Sequence, residues 1–380
     1  MNMVPAIGLL LLTALTWIIH WTGVTALYPL LSGSSATSIP FPNTELQGAR
    51  FWIVFVYVLV SSFYRRVTGR PGVRVSTSSD EAIHQLVGPT SSLVMPFRIS
   101  QDDIDKYTRA VSSTHPVTPD QIFTPPHLHL LLCALVQPPM LLLLSKRTSP
   151  VDAVGSVNVR NRFELPNPSL CARRIHEELG SPGDRGGRLS LHARLDKNVK
   201  RMKRGWESCV IIDLLDGSGK GDKSVLYRQI FTFLQFHKHR IPPPSTGTQS
   251  MTDAAATTQV ASLSLSTEDP RRWAALCKDY NPIHISSLAA KLFGFRSSIA
   301  HGNHVAAKTV AMYEQQNSSA SHGAQGSKQE GESWMEVEFL RPTFLPCNLQ
   351  VRNIDNGKAG TKQLQIGRAD KVNVGVKYSV

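Results

Sequence analysis

The apolar positions of this chain form long runs near the N-terminus and alternating patterns further on. Residues 4–31 are almost wholly apolar, and a membrane span takes roughly 20 such residues. A second, shorter run covers residues 51–64, so one or two spans are possible. Four arginines follow it: Arg65, Arg66, Arg70 and Arg74. Because basic residues mark the cytoplasmic side of a span, the pattern predicts a membrane-anchor region over residues 1–75. It places the rest of the chain in the cytosol, on a membrane whose identity stays open.

A third apolar run, residues 128–144, has a different character. Pro138 and Pro139 interrupt it, and no basic residue flanks its start. These features favour a buried central helix over a third membrane span. The alternative is a multi-span membrane protein in which every apolar run crosses the bilayer.

The remaining sequence alternates between helical and strand-like patterns. In residues 189–195 apolar side chains alternate with polar ones, which is typical of a half-buried strand. Residues 96–237 therefore predict a helical part followed by antiparallel strands. A Pro, Ser and Thr-rich linker follows at 241–257, and a second unit covers 258–380.

Helix boundaries in the second unit follow from capping residues. Thr267 suits the N-cap of a helix that ends near residue 278, because acidic residues follow it in the first turn. Ser286 or Ser287 suits the N-cap of a short helix that Gly294 ends. A longer helix is predicted from about His301 to residue 316.

Charge and cysteine usage narrow the function classes. The chain of 380 residues has 41 basic and 28 acidic residues and a net charge of +13, but no nucleic-acid-binding motif. The basic cluster at 197–204 is interpreted as a solvated hairpin tip. The five scattered cysteines lack metal-ligand spacing and indicate reduced thiols.

The candidate chemistry lies in one loop of the second unit. Asp279 and His284 are five residues apart, and Pro282 stiffens the chain between them. The sequence Ile-Ala-His-Gly follows at 299–302. A carboxylate and an imidazole held on one rigid loop suit proton transfer to and from a bound substrate.

This stretch, from Asp279-Tyr-Asn-Pro-Ile-His to Gly302, resembles the motif of the MaoC-like, R-specific enoyl-CoA hydratase/dehydratase family. The resemblance implies an α+β double hot-dog fold, with two antiparallel sheets each wrapped around a central helix. Residues 76–240 would be a degenerate N-terminal hot-dog half that has lost the chemistry, and residues 258–380 the catalytic half. Two halves in one chain would allow a monomer, and a homodimer is the alternative.

The resemblance also assigns roles to residues. Asp279 and His284 would be the catalytic pair that acts on one water, and Asn281 would orient the loop or His284. Gly302 and Asn303 would lie at the oxyanion and substrate-binding site. Such enzymes hydrate trans-2-enoyl thioesters in fatty acid metabolism and need no metal or other cofactor, because CoA or acyl carrier protein is part of the substrate.

Three positions depart from the family pattern. Cys277 and Lys278 replace a common Ser-Gly pair, and Asn303 replaces Met or Leu. Cys277 is expected to be a small buried residue, Lys278 to point to solvent, and His301 to pack under the start of the long helix. The departures keep open a second function class, a non-catalytic protein that binds acyl thioesters.

Overall fold

The computed structural model describes residues 27, 30, 35–67, 83–86, 91–112, 117–146, 149, 151, 155–180, 189–217, 224–236, 256–320, 331–355, 360–368 and 371–379. The strands in these residues are β1 (Ala36–Ser38), β2 (Ile83–Gln85), β3 (Ser92–Pro96), β4 (Ser156–Leu165), β5 (Leu189–Met202), β6 (Gly205–Asp216), β7 (Ser224–Phe236), β8 (Ala256–Leu265), β9 (Ser333–Phe339), β10 (Cys347–Asp355), β11 (Thr361–Arg368) and β12 (Lys371–Ser379). The α-helices are α1 (Gly48–Val67), α2 (Gln101–Val111), α3 (Pro119–Ile122), α4 (Pro125–Leu135), α5 (Gln137–Ser145), α6 (Pro168–Leu179), α7 (Asp269–Cys277), α8 (Pro282–Ile285), α9 (Ser287–Leu292) and α10 (Gly302–Ala320).

The strands form one continuous sheet, in the order β1-β3-β5-β6-β7-β4-β9-β12-β11-β10-β8, with β2 beside β5. The two halves meet where β4 pairs with β9 in antiparallel register, from Arg160 opposite Glu338 to Leu165 opposite Ser333. The prediction of two separate antiparallel sheets is therefore wrong in this respect. Backbone hydrogen bonds join the two halves, because the edge strand of one half pairs with the edge strand of the other.

The apolar run at 128–144 forms the central helical layer of the first half. It folds as α4 and α5, which break at Val136 just before Pro138 and Pro139. The combined segment Pro125–Ser145 is long and apolar enough to cross a membrane, yet 94% of its most apolar window is buried within the protein. The prediction of a buried central helix is confirmed. The segment cannot be the third span of a multi-span protein, because β3, β4, β5 and α10 already pack around it.

The corresponding helix of the second half is α10, which packs against α4 and the strands β8, β9 and β12. Val305, Ala306 and Val310 are fully buried on it. The small Ala side chains let the helix approach its neighbours closely. The predicted start of this helix, near residue 301, is correct. The helix extends four residues beyond the predicted end.

The described part of the N-terminal region belongs to the folded body. Strand β1 pairs in parallel with β3, and α1 packs against α5, with Phe51 and Val54 buried. Leu27 and Leu30, at the end of the first apolar run, are also buried in the core. The predicted membrane anchor over residues 1–75 is therefore not supported where the structure describes this region, and the rest of the run 4–31 lies outside the described residues.

The local predictions had mixed outcomes. The basic cluster at 197–204 ends the β5–β6 hairpin as expected. The cap of α7 was misplaced: Glu268 occupies the N-cap position, and the Asp269 carboxylate accepts hydrogen bonds from the backbone N–H and hydroxyl of Ser266. The five cysteines are free thiols, of which Cys133, Cys171, Cys277 and Cys347 are buried.

Candidate active site

The loop that carries Asp279 begins where α7 ends, and Lys278 is the C-cap residue of this helix. This residue has a left-handed backbone with φ of 62°, a conformation that glycine adopts without steric cost. The sequence predicts that its ammonium group points to solvent. In the structure this group donates a hydrogen bond to the carbonyl oxygen of Ala275 at 2.8 Å. A cation on the last carbonyls of a helix offsets the negative end of the helix dipole. Lys278 therefore ends the helix and stays folded against it.

The turn that follows holds the Asp279 carboxylate in place. Asp279 Oδ1 accepts the backbone N–H of Asn281 at 3.1 Å. The Asn281 side-chain oxygen accepts the N–H of Ile283 at 3.3 Å and so caps α8. The structure thus places Asn281 between Asp279 and His284, where it fixes the backbone of the turn that carries both.

Hydrogen bonding fixes the tautomer of His284. Its Nδ1 lies 2.7 Å from the carbonyl oxygen of Ile299. A carbonyl oxygen only accepts, so Nδ1 carries the hydrogen, and in the neutral ring Nε2 keeps a lone pair. The ring can therefore accept a proton at Nε2 while the backbone holds its other side.

His301 packs beneath this pair. Its ring stacks on His284 with centroids 3.8 Å apart, and its Nε2 donates to the backbone carbonyl oxygen of Asp279 at 3.0 Å. Burial, together with the nearby His284, lowers the pKa of His301 well below its usual value. His301 therefore stays neutral and supports the two candidate catalytic residues from behind.

The arrangement brings Asp279 and His284 together. One ligating atom each from Asp279, His284 and His301 lie within 4.8 Å of one another, a separation that one bridging water spans. The same three residues have the types that bind metals. The Nε2 hydrogen of His301 is already donated to the Asp279 carbonyl, however, so metal binding through that atom would break an existing hydrogen bond.

Gly302 and Asn303 begin α10 beside this pair. The first N–H groups of a helix lack partners within it, so this end can receive negative charge. A Cβ on Gly302 would lie 2.2 Å from the Phe339 ring, so packing against Phe339 requires glycine here. Asn303 is buried, and its side-chain oxygen accepts from Asn161 of β4 at 3.0 Å. The first half thus holds Asn303 in position.

Sequence reasoning missed one contact to the candidate catalytic carboxylate. The side-chain amide of Gln137 donates to Asp279 Oδ2 at 3.1 Å, although the two residues belong to different halves. The sequence contains one indication of this contact, because Gln137 is a polar residue within the apolar run 128–144. Buried polar residues are more informative than exposed apolar ones. Only the fold shows that its partner is Asp279.

The segment that carries the Asp279 loop and the start of α10 matches a known protein family. Residues 249–376 match the family described as MaoC like domain. The chain is 27% identical over 231 residues to 3-hydroxyacyl-thioester dehydratase X of Mycobacterium tuberculosis, covering 59% of this chain and 69% of that protein.

Solved structures share the fold. The crystal structure of HtdX of Mycobacterium tuberculosis matches 77% of this chain and 100% of its own, with a TM-score of 0.50 and 21% identity. A MaoC-like dehydratase from Phytophthora capsici matches 77% of this chain and 95% of its own, with a TM-score of 0.50 and 15% identity. Both are similar to this chain across the two halves of the sheet. The motif from Asp279 to Gly302 lies within the matched segment, so the second half of the chain is a MaoC-like domain, and the similarity to a 3-hydroxyacyl-thioester dehydratase supports its assignment as a hydro-lyase.

Proposed function

We propose that this protein adds water reversibly to trans-2-enoyl thioesters, and in the reverse direction dehydrates (R)-3-hydroxyacyl thioesters. The observation that carries the proposal is the placement of Asp279 and His284 within one water's reach, at the start of α10. The thioester carrier is CoA or acyl carrier protein, and the reaction uses no metal or other cofactor.

The proposed reaction requires one water between the two side chains. The Asp279 carboxylate and His284 Nε2 both accept hydrogen bonds, so together they can hold a water by its two hydrogens. As the water oxygen bonds to C3, one of its protons passes to the pair. The proton that C2 receives comes from the same pair, so one water is added in total and the pair returns to its initial state.

The third requirement is stabilisation of the thioester oxygen, which gains negative charge during the reaction. The free N–H groups at the start of α10 suit this role. Gly302 lies at that end, and the Asn161 contact fixes Asn303 beside it. The substrate-binding roles proposed for these two residues rest on this placement.

The rival function is binding without catalysis. This alternative is suggested by the departures from the family pattern at positions 277, 278 and 303. In the structure, Cys277 is fully buried and the Lys278 side chain is folded against its own helix. The Lys278 ammonium is held at the Ala275 carbonyl, and burial keeps Cys277 a neutral thiol by raising its pKa well above the ordinary value. The test is to follow the enoyl-thioester absorbance with the purified full chain over several acyl lengths, on CoA and on acyl carrier protein. Loss of the absorbance supports the hydratase, whereas measurable binding with no hydration decides for the rival.

We propose that the protein associates with a membrane through contact of helix α1 with the bilayer surface, and not through a spanning anchor. Helix α1 exposes an apolar stripe at intervals of four residues, formed by Trp52, Val56, Val60 and Tyr64, each more than half exposed. The helix contains three arginines and no acidic residue. An apolar face combined with positive charge fits the surface of an anionic bilayer.

This proposal is tested by flotation with anionic and with neutral phospholipid vesicles. Replacing Trp52 and Val60 by Glu should abolish the association with anionic vesicles. The matched control places the same charges at Leu288 and Leu292, which are exposed on α9. Unchanged flotation of the Trp52/Val60 variant would show that α1 does not contact the membrane.

A further inference from the structure

The first half of the molecule contacts the Asp279 carboxylate through the side chain of Gln137. Gln137 is 7% exposed, and its side-chain amide donates to Asp279 Oδ2 at 3.1 Å. The other oxygen of the carboxylate, Oδ1, accepts the N–H of Asn281 from its own loop. Among the residues that the structure describes, each carboxylate oxygen has one protein donor, and one of the two donors comes from the half that lacks the motif.

The break between the two central helices explains why Gln137 can make this contact. Helix α4 ends at Leu135, and Gln137 is the first residue of α5. Pro138 and Pro139 follow, and prolines are tolerated in the first turn of a helix because no intrahelical partner is lost there. The two prolines thus force a new helix start at this point, deep in the molecule, where Gln137 lies beside the loop that carries Asp279.

The two protein donors leave other acceptor positions of the Asp279 carboxylate available for the water. An ionised carboxylate can accept about four hydrogen bonds, so positions remain for the shared water. A donor that bonds the ionised form stabilises it relative to the protonated form. The contact also restricts rotation of the carboxylate, because the amide and the loop N–H hold opposite oxygens.

We propose that Gln137 is a positioning residue for the reaction, which orients the Asp279 carboxylate toward the water shared with His284. The inference rests on the proposed function. It assigns the first half a part in the chemistry, in addition to shaping the substrate site.

The test compares Gln137→Met with Gln137→Glu. Methionine keeps the length of the side chain and removes the donor. Loss of a hydrogen bond to a charged group should lower kcat by about 10- to 100-fold, with a smaller effect on KM. The acid limb of the kcat/KM profile should move to higher pH. Gln137→Glu places a second carboxylate beside the first, so it should move that limb further in the same direction.

The matched control is Gln229→Met. Gln229 is a fully buried glutamine of the first half whose side chain contacts Tyr227. It reports what the loss of a buried glutamine does to stability alone. If Gln137→Met lowers stability like this control but leaves kcat and the pH profile unchanged, Gln137 is only structural and the proposal is overturned.

A second readout separates this inference from the proposed function. Titration of the Asp279 carboxyl carbon by 13C NMR, assigned with Asp279→Asn, needs no turnover. A higher titration midpoint in Gln137→Met than in wild type supports the coupling even if the wild type hydrates no thioester. An identical midpoint overturns it. In the Asp279→Asn background, Gln137→Met should have little further effect on kcat, because the group it positions is already changed.

Discussion

At the scale of single residues, Asp279 and His284 act on one water in the proposed reaction, so removing either should disable the same step. Asp279→Asn keeps the size of the side chain and removes the base, and His284→Ala removes the imidazole. Each should lower kcat/KM for the enoyl thioester by about 100-fold or more. The double variant should lose far less than the product of the two effects.

These variants should fold, because both side chains are partly exposed, Asp279 on a loop and His284 on the short helix α8. Thermal unfolding of each variant, compared with wild type, is the control. Equal activity in the wild type and in both single variants would show that the chemistry takes place elsewhere.

Lys278 gives a second prediction at this scale, about stability. Its φ of 62° is in the left-handed region, which costs a residue with a Cβ about 1 kcal/mol relative to glycine. Lys278→Gly should therefore have a free energy of unfolding about 1 kcal/mol above that of Lys278→Ala. Both variants lose the bond to Ala275, so their difference isolates the backbone conformation. Urea denaturation measures it, and equal stability of the two would refute the strain.

The residue scale also shows what a sequence reveals about a site. Asp279 and His284 could be identified because the motif places them within six residues of each other. Gln137 lies 142 residues before Asp279, and no local pattern links the two. The direction of the Lys278 side chain was mispredicted because a flexible lysine follows the nearest free helix carbonyl, which composition does not indicate.

At the scale of elements, the start of α10 depends on β9. Gly302→Ala would place a Cβ 2.2 Å from the Phe339 ring, so the helix start or the ring must shift. Overpacking of this kind costs about 1–3 kcal/mol. The shift should also lower activity, because it moves the N–H groups proposed to bind the thioester oxygen.

A second substitution distinguishes packing from substrate contact. Phe339→Leu provides space and should restore part of the stability lost in Gly302→Ala. Urea denaturation of both single variants and the double variant gives the coupling between the two positions. Additive effects would show that Phe339 is not the obstacle.

Elements with strong local patterns were predicted well. In β5, Leu189, Leu191, Ala193 and Leu195 are buried on one face, as the alternation required. The cap of α7 was misplaced by one residue, because Ser266 and Asp269 form a local bond that competes with a Thr267 cap. The continuity of the sheet could not be predicted, because the pairing of β4 with β9 depends on how two distant halves meet.

At the scale of the whole molecule, buried histidines connect the halves. His129 of α4 lies 3.1 Å from the Ser333 hydroxyl of β9, and His304 of α10 donates to the carbonyl oxygen of Ala110 at 2.8 Å. With the β4–β9 pairing, these contacts make each half part of the other's core. We therefore expect the halves to unfold together.

Buried histidines also give a pH dependence of stability. Burial lowers the pKa of His127 to about 4, of His129 to about 3 and of His304 to about 4, from an ordinary value of 6.5. Below about pH 6.5 the unfolded chain binds protons at these positions, whereas the folded chain stays neutral there until about pH 4. The free energy of unfolding should therefore fall as the pH is lowered through this window. Each histidine contributes a slope of up to about 1.4 kcal/mol per pH unit.

Urea denaturation at several pH values between neutrality and pH 5 measures this slope. His129→Gln removes one titrating group and should reduce the slope by one histidine's share, although it also weakens the contact to Ser333 and lowers stability at neutral pH. A wild-type free energy that stays constant over this range would contradict the assignment of buried neutral histidines. Two separate unfolding transitions would instead show that the halves unfold independently.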